Sequence, residues 1–150
     1  MELGTWISLV ALLIAGLSLA ISFWNNRKSA ITGRKPVLTF VYDVETGWNL
    51  QNIGNGPALN VIVAQKEVGG QWFNPVRVPP LSKDGAFVCR WLGHVNTTGL
   101  GVTYTDFEGR AYSSVTGNDL SRTFEGRKLP DWEESEIGSH WDHPIYRNGT

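Results

Sequence analysis

Residues 3–26, LGTWISLVALLIAGLSLAISFWNN, contain no charged side chain. About 21 apolar residues at ~1.5 Å of rise each make ~30 Å of helix, the thickness of a hydrocarbon core. Trp6 and Trp24 fall near the two ends, where indoles favour the membrane–water interface. The stretch predicts one transmembrane helix. Within it Gly4, Ser8, Ala11, Ala15, Ser18 and Ser22 recur at spacings of four, three, four, three and four. At about 100° per residue they fall within an arc of roughly 80°, and the bulky residues from Ile7 to Phe23 occupy the rest of the surface. In lipid, burial of apolar surface does not drive helices together; close backbone approach does, and small residues permit it. Gly, Ala and Ser are common in any membrane helix, but an unbroken stripe favours a docking face. The partner it implies is another transmembrane helix, in a larger membrane complex or in a second copy of the chain.

A cleaved signal peptide is the competing reading of the same run. Met1-Glu2 offers no basic n-region and Ser18-Leu19-Ala20 is a poor small-x-small site deep inside the run. The run also exceeds the usual ~7–15 residues of such peptides. It is therefore read as a retained anchor. Residues 27–36, RKSAITGRKP, read as a linker holding Arg27, Lys28, Arg34 and Lys35. Basic residues beside a span prefer the cytoplasm, which places the following domain in the cytoplasm of a bacterial inner membrane. The same cations suit anionic headgroups, at up to ~1 kcal/mol each near the surface.

The chain has 150 residues, and anchor and linker leave room for one domain. A net charge of −1 argues against nucleic acid as a general partner. From Val37 the hydrophobic period changes to two, as strands require. VLTFVYDV, WNLQNI, ALNVIVAQKEV, QWFNPVRV, AFVCRW, LGVTYTD and RAYSSV read as short strands. Gly69-Gly70 and the Asp106–Gly109 turn close hairpins. That predicts an all-β domain over residues 37–124, a sandwich of about seven strands. The single cysteine, Cys89, lies in the apolar run AFVCRW and reads as a small buried hydrophobe.

WNLQNIGNGPALNVIVAQK, followed by a tryptophan-containing hairpin, a proline-leucine loop and GLGVTYTDFEGRAYSS, resembles the N-x-G-x-G-P-A-x-N-V pattern of small immunoglobulin-like bacterial modules. It is similar to CARDB-type domains and to uncharacterised single-pass bacterial proteins with the same stretch, over roughly residues 36–115. The resemblance implies an immunoglobulin-like sandwich acting as a non-catalytic spacer or contact domain. It also implies an extracytoplasmic location, whereas the basic flank implies the cytoplasm. The motif has a physical reading of its own. Asn52 and Asn60 suit bonds to neighbouring backbone around a turn, and Pro57 fixes φ as the next strand begins. Gly54-x-Gly56 lacks the following helix and Lys-Ser/Thr of a phosphate loop.

Residues 125–150 form a tail. Asp131 and Glu134 have capping-box spacing, so a helix of about two turns ending at Gly138 is expected. Trp132, Trp141 and Tyr146 stand among acidic residues, as anchors for a partner surface do, or else they fold back onto the sandwich. His140, Asp142 and His143, with Glu136, invite a metal reading. Gly138 interrupts the helix that would align them, and the only other histidine is His94. No spacing sets an acid, base or nucleophile together. Asn96 and Asn148 fit glycosylation sequons, which a cytoplasmic domain would not use. The sequence thus predicts a non-catalytic, single-pass accessory subunit with no cofactor and no metal. An extracytoplasmic binding or adhesion module is the alternative.

Overall fold

The computed structural model describes the backbone of residues 3–93, 97–118 and 120–142. The chain divides into two units, one ending at Arg34 and one beginning at Lys35. The first is a single helix, α1, Leu3–Thr32. It runs six residues past the expected end at Asn26. The polar segment NNRKSAIT holds no Gly or Pro, so nothing breaks the backbone ladder before Gly33. Composition marks where the chain leaves an apolar medium, not where the helix stops. Arg27 and Lys28 are therefore helical, and only Gly33 and Arg34 separate α1 from the second unit. Trp6–Arg27 has a mean hydropathy of 2.3 and none of it is buried by the rest of the chain. This helix is long and apolar enough to cross a membrane.

The second unit is mostly strand, in two sheets with a sandwich-like arrangement. Its strands are β1 Leu38–Asp43, β2 Gly47–Asn52, β3 Leu59–Glu67, β4 Trp72–Arg77, β5 Ala86–Val88, β6 Thr97–Thr105, β7 Ala111–Gly117, β8 Leu120–Glu125 and β9 Gly138–Ser139. One sheet has the order β1-β2-β5, the other β8-β7-β6-β3-β4-β9. All neighbours are antiparallel except β4 and β9. Each of the seven segments read as a strand overlaps one, although β2, β6 and β7 run past the expected bounds, and β8 and β9 are additional.

Alternation decides what lies between the sheets. Leu38 and Phe40 of β1, Leu50 of β2, Val61 and Val63 of β3, and Leu100, Val102 and Tyr104 of β6 point inward and are buried. The Tyr104 hydroxyl accepts a bond from Leu38 N at 3.2 Å, tying the sheets together where a phenol would otherwise be buried without compensation. β1 outruns its cover. Tyr42, expected on the same face as Leu38, is 49% exposed. Pro75 sits inside β4, next to Asn74 at φ 51°, and the β3–β4 register shifts between Val63 and Gln65. A bulge of this kind accommodates a residue that cannot donate to the ladder.

Cys89 is fully buried in this core, and desolvation pushes its thiol up to about 12. The thiolate is the reactive form. The folded chain is therefore expected to give no reaction with an aromatic disulfide reagent at pH 8, and one thiol per chain in denaturant. Rapid reaction of the native chain would contradict this burial.

The NIGNGP segment is a clamp. Asn52, 1% exposed, donates from Nδ2 to the carbonyls of Gly56, Leu81 and Ser82 at 2.8, 3.1 and 3.1 Å. Its Oδ1 accepts from Val37 N and Gly54 N at 3.3 and 3.1 Å. Asn55 N donates to Lys35 O at 3.0 Å and Ile53 N to Val37 O at 2.9 Å. One side chain thus joins the first residues of the domain, the 53–57 turn and the 81–82 loop. At the same end of the sandwich, Asp106 shapes the β6–β7 turn. Its carboxylate accepts from Glu108 N, Arg110 N and the Tyr112 hydroxyl at 2.9, 2.9 and 3.1 Å. Burial, and then that bond, hold the Tyr112 phenol above its ordinary range.

After β8 the chain becomes a strap over the outer face of the larger sheet. Ser113 Oγ donates to Gly126 O and accepts from Lys128 N, both at 2.9 Å. Leu129 is buried against Gly101 and Trp72. Arg77 then grips Glu134 with two bonds of 2.8 Å, and Gly138–Ser139 adds β9 beside β4. The expected helix over DWEESEIG is absent. Residues 134–136 form one turn, in which Glu136 N donates to Glu133 O at 2.9 Å. The Glu134 carboxylate that was to cap a helix serves Arg77 instead, 57 residues away. A bidentate guanidinium bond outcompetes a local cap.

Candidate functional site

On α1, the small residues Gly4, Ser8, Ala11, Ala15, Ser18 and Ser22 share one unbroken helix and all are exposed. Ser8 Oγ donates to Gly4 O at 3.0 Å, so this hydroxyl satisfies itself within the helix and leaves the stripe smooth. The basic residues are not equivalent. Arg27 and Arg34 are exposed. Lys35 belongs to the domain. Its ammonium lies 3.1 Å from Glu125 and 5.0 Å from the centre of the Tyr112 ring.

The tail aromatics also divide. Trp132 is half-buried and lines a cleft with Ile62, Thr103, Pro130 and Ile137, so it packs the strap onto the sheet. Trp141 is 75% exposed, beside Pro79 and Pro80. Tyr146 lies outside the described residues, as do His143, His94, Asn96 and Asn148. His140 is buried, with Nδ1 3.0 Å from Arg77 O and its ring edge-on to Phe87 at 5.2 Å. Glu136 accepts from Glu133 N at 2.8 Å. Among the described residues no three His, Cys, Asp or Glu side chains converge on a point that would hold a metal ion.

The strap covers only part of the outer face. Beyond it, toward the β7–β8 turn, lies a concavity of about 710 Å³. Gly99 and Gly117 are among its lining residues; Gly99 pairs with Lys66 and Gly117 lies opposite Leu120. A Cβ at Gly101 would stand 2.6 Å from the Trp72 ring, so the indole lies directly on the bare backbone. Val115, Leu120 and Phe124 form the rest of the floor, with Val68 on the rim. Lys66, Arg122 and Lys128 surround it, and no Asp or Glu is among the described lining residues. Lys66 stands 5.6 Å from the Trp72 ring centre and Lys128 5.7 Å from that of Phe124, within the range of cation–π attraction. A concave apolar floor with convergent charged groups is the usual form of a binding site. Sequence reading missed it. The signals were Gly99 in β6 and the alternation Leu120, Arg122, Phe124 in β8, which puts like-facing residues on one side.

Comparison of the chain with known family models, curated proteins and solved structures gave no match.

Proposed function

We propose that the chain is a non-catalytic, single-pass accessory subunit of a bacterial inner-membrane assembly, with its domain in the cytoplasm. The observation that carries this reading is α1. It exposes an uninterrupted apolar surface from Trp6 to Arg27, with its small residues in one stripe. Such a helix needs a bilayer around it, and its stripe suits a second helix. Arg27, Lys28 and Arg34 follow it, which favours the cytoplasm for what comes next. For the domain we propose a seven-strand immunoglobulin-like core, β1 to β7, in keeping with the CARDB-type resemblance. In support, the sets β1-β2-β5 and β7-β6-β3 correspond to the A-B-E and G-F-C strands of that class, while β4 joins the second sheet instead of the first and β8 and β9 extend that sheet. Asn52, Asp106 and Ser113 spend their buried polar groups on backbone and Tyr112, as structural rather than catalytic groups do.

The test is an asymmetry. Ala15→Leu, in the middle of the stripe, should hold two helices apart and abolish co-purification of the partner or self-association in mild detergent. Leu13→Ala, off the stripe, removes volume but should leave association intact, because lipid tails fill the space. Interhelical hydrogen bonds average about 0.6 kcal/mol, so no single serine should decide the outcome. Equal behaviour of the two variants would reduce α1 to an anchor. Protease added outside intact cells should leave residues 37–115 whole; their digestion would favour an extracytoplasmic module.

A further inference from the structure

We propose that the uncovered concavity on the larger sheet is a docking groove for an extended acidic segment of a partner protein, with apolar side chains alternating between its carboxylates. The proposal concerns the domain surface alone and holds for either membrane orientation. Its basis is complementarity. Lys66, Arg122 and Lys128 ring a floor containing Trp72, Val115 and Phe124, without an acidic residue among the described lining. None of the three cations takes part in the ion pairs at Lys35, Arg77, Arg110 and Arg127. Two of them lie over aromatic rings, which positions each charge at the edge of the floor.

The dimensions suit an extended peptide. The lining runs from β8 to β4 across four strand gaps, or ~19 Å at about 4.8 Å per gap. That is the reach of roughly six extended residues. Alternate side chains of such a segment point to opposite sides, so apolar ones can enter the floor while carboxylates meet the rim. A polyanion fits less well, because with a net charge of −1 the chain has no field to gather one.

The experiment uses the full chain in uncharged detergent and a fluorescent peptide of about eight residues alternating Glu with Leu or Phe. Fluorescence anisotropy should show saturable binding that weakens with salt. The doubly reversed variant Arg122→Glu, Lys128→Glu should lose at least tenfold in affinity, and Arg122→Gln, Lys128→Gln should lose less. Both positions of change are solvent-exposed side chains, and thermal melting checks that each variant is folded. A peptide with Lys in place of Glu should not bind. Unchanged affinity in the reversed variant, or equal binding of the Lys peptide, would overturn the proposal. So would tighter binding of an oligothymidylate. For lipid, Val68→Cys carries an environment-sensitive dye, since Cys89 is inaccessible. The dye should respond to the peptide and not to anionic nanodiscs alone; the reverse would assign the groove to headgroups.

Discussion

Asn52→Ala is expected to cost the domain ~3–5 kcal/mol, because one truncation strips partners from several buried backbone groups at once. Total stabilities of such domains are ~5–15 kcal/mol, so the loss should be visible as a fall in Tm of well over 10 °C at about 4 °C or more per kcal/mol. Asn52→Asp separates shape from hydrogen bonding. The carboxylate would replace the amide that faces the carbonyls of Gly56, Leu81 and Ser82. Its folded pKa would rise above its unfolded value, so the penalty should be small in acid and grow as pH rises from the unfolded value towards the folded one. Gly54→Ala should be comparably damaging for a different reason. The new Cβ would lie 2.3 Å from Val37 N and 2.5 Å from Lys35 O, and both are backbone atoms that Asn52 and Asn55 hold in place. Gly47 is the control. It has φ +83° but open space around it, so Gly47→Ala should cost only the ~1 kcal/mol of a left-handed alanine. Thermal melts of the variants measure all four. If Gly54→Ala melted like Gly47→Ala, the clamp would not be tight.

The NIGNGP motif was legible as a turn, but not as a clamp, because its partners come from loops about 15 and 30 residues away. Strands with one buried and one open face announced themselves by alternation, as in β1 and β3. β8 did not. Its inward residues Ser121 and Thr123 are polar and meet Thr39, Ser114 and Thr116, so LSRTFE shows no buried stripe and reads as loop. β9 is too short to carry any period. The tail misled through a real local signal, the Asp131–Glu134 spacing, which tertiary bonding to Arg77 overrode. On the helix, the stripe was readable because period alone fixes a helix face. The groove needed register. Lys66, Trp72, Arg122 and Lys128 converge only when β8, β7, β6, β3 and β4 are set side by side.

Removing the strap, by ending the chain after Gly126, should destabilise the sandwich rather than merely trim it. Leu129 is buried, and Leu129→Ala alone should cost ~2–3 kcal/mol at the low end of core truncations, since one side of this site opens to water. The indole of Trp72 would lose its cover over Gly101, and Val76 would lose β9 beside it. The net cost must be less than the sum of these contacts, because each freed residue regains ~1–2 kcal/mol of backbone entropy. The Arg77–Glu134 pair acts as the fastener. Arg77 holds the Glu134 carboxyl below its ordinary range, so the contribution of the pair is present above that ordinary value and lost as pH falls through the lowered one. Both side chains are substantially exposed, so Glu134→Gln should loosen the strap locally without unfolding the domain. Trypsin distinguishes the two outcomes. It should cut slowly after Arg127 and Lys128 in the native chain, faster in Glu134→Gln with the rest of the domain intact, and throughout the domain in the truncated chain. A truncated chain that melted like the full one would show that the strap rests on the sheet without supporting it. Trp132 and Trp141 would then be free to serve a partner.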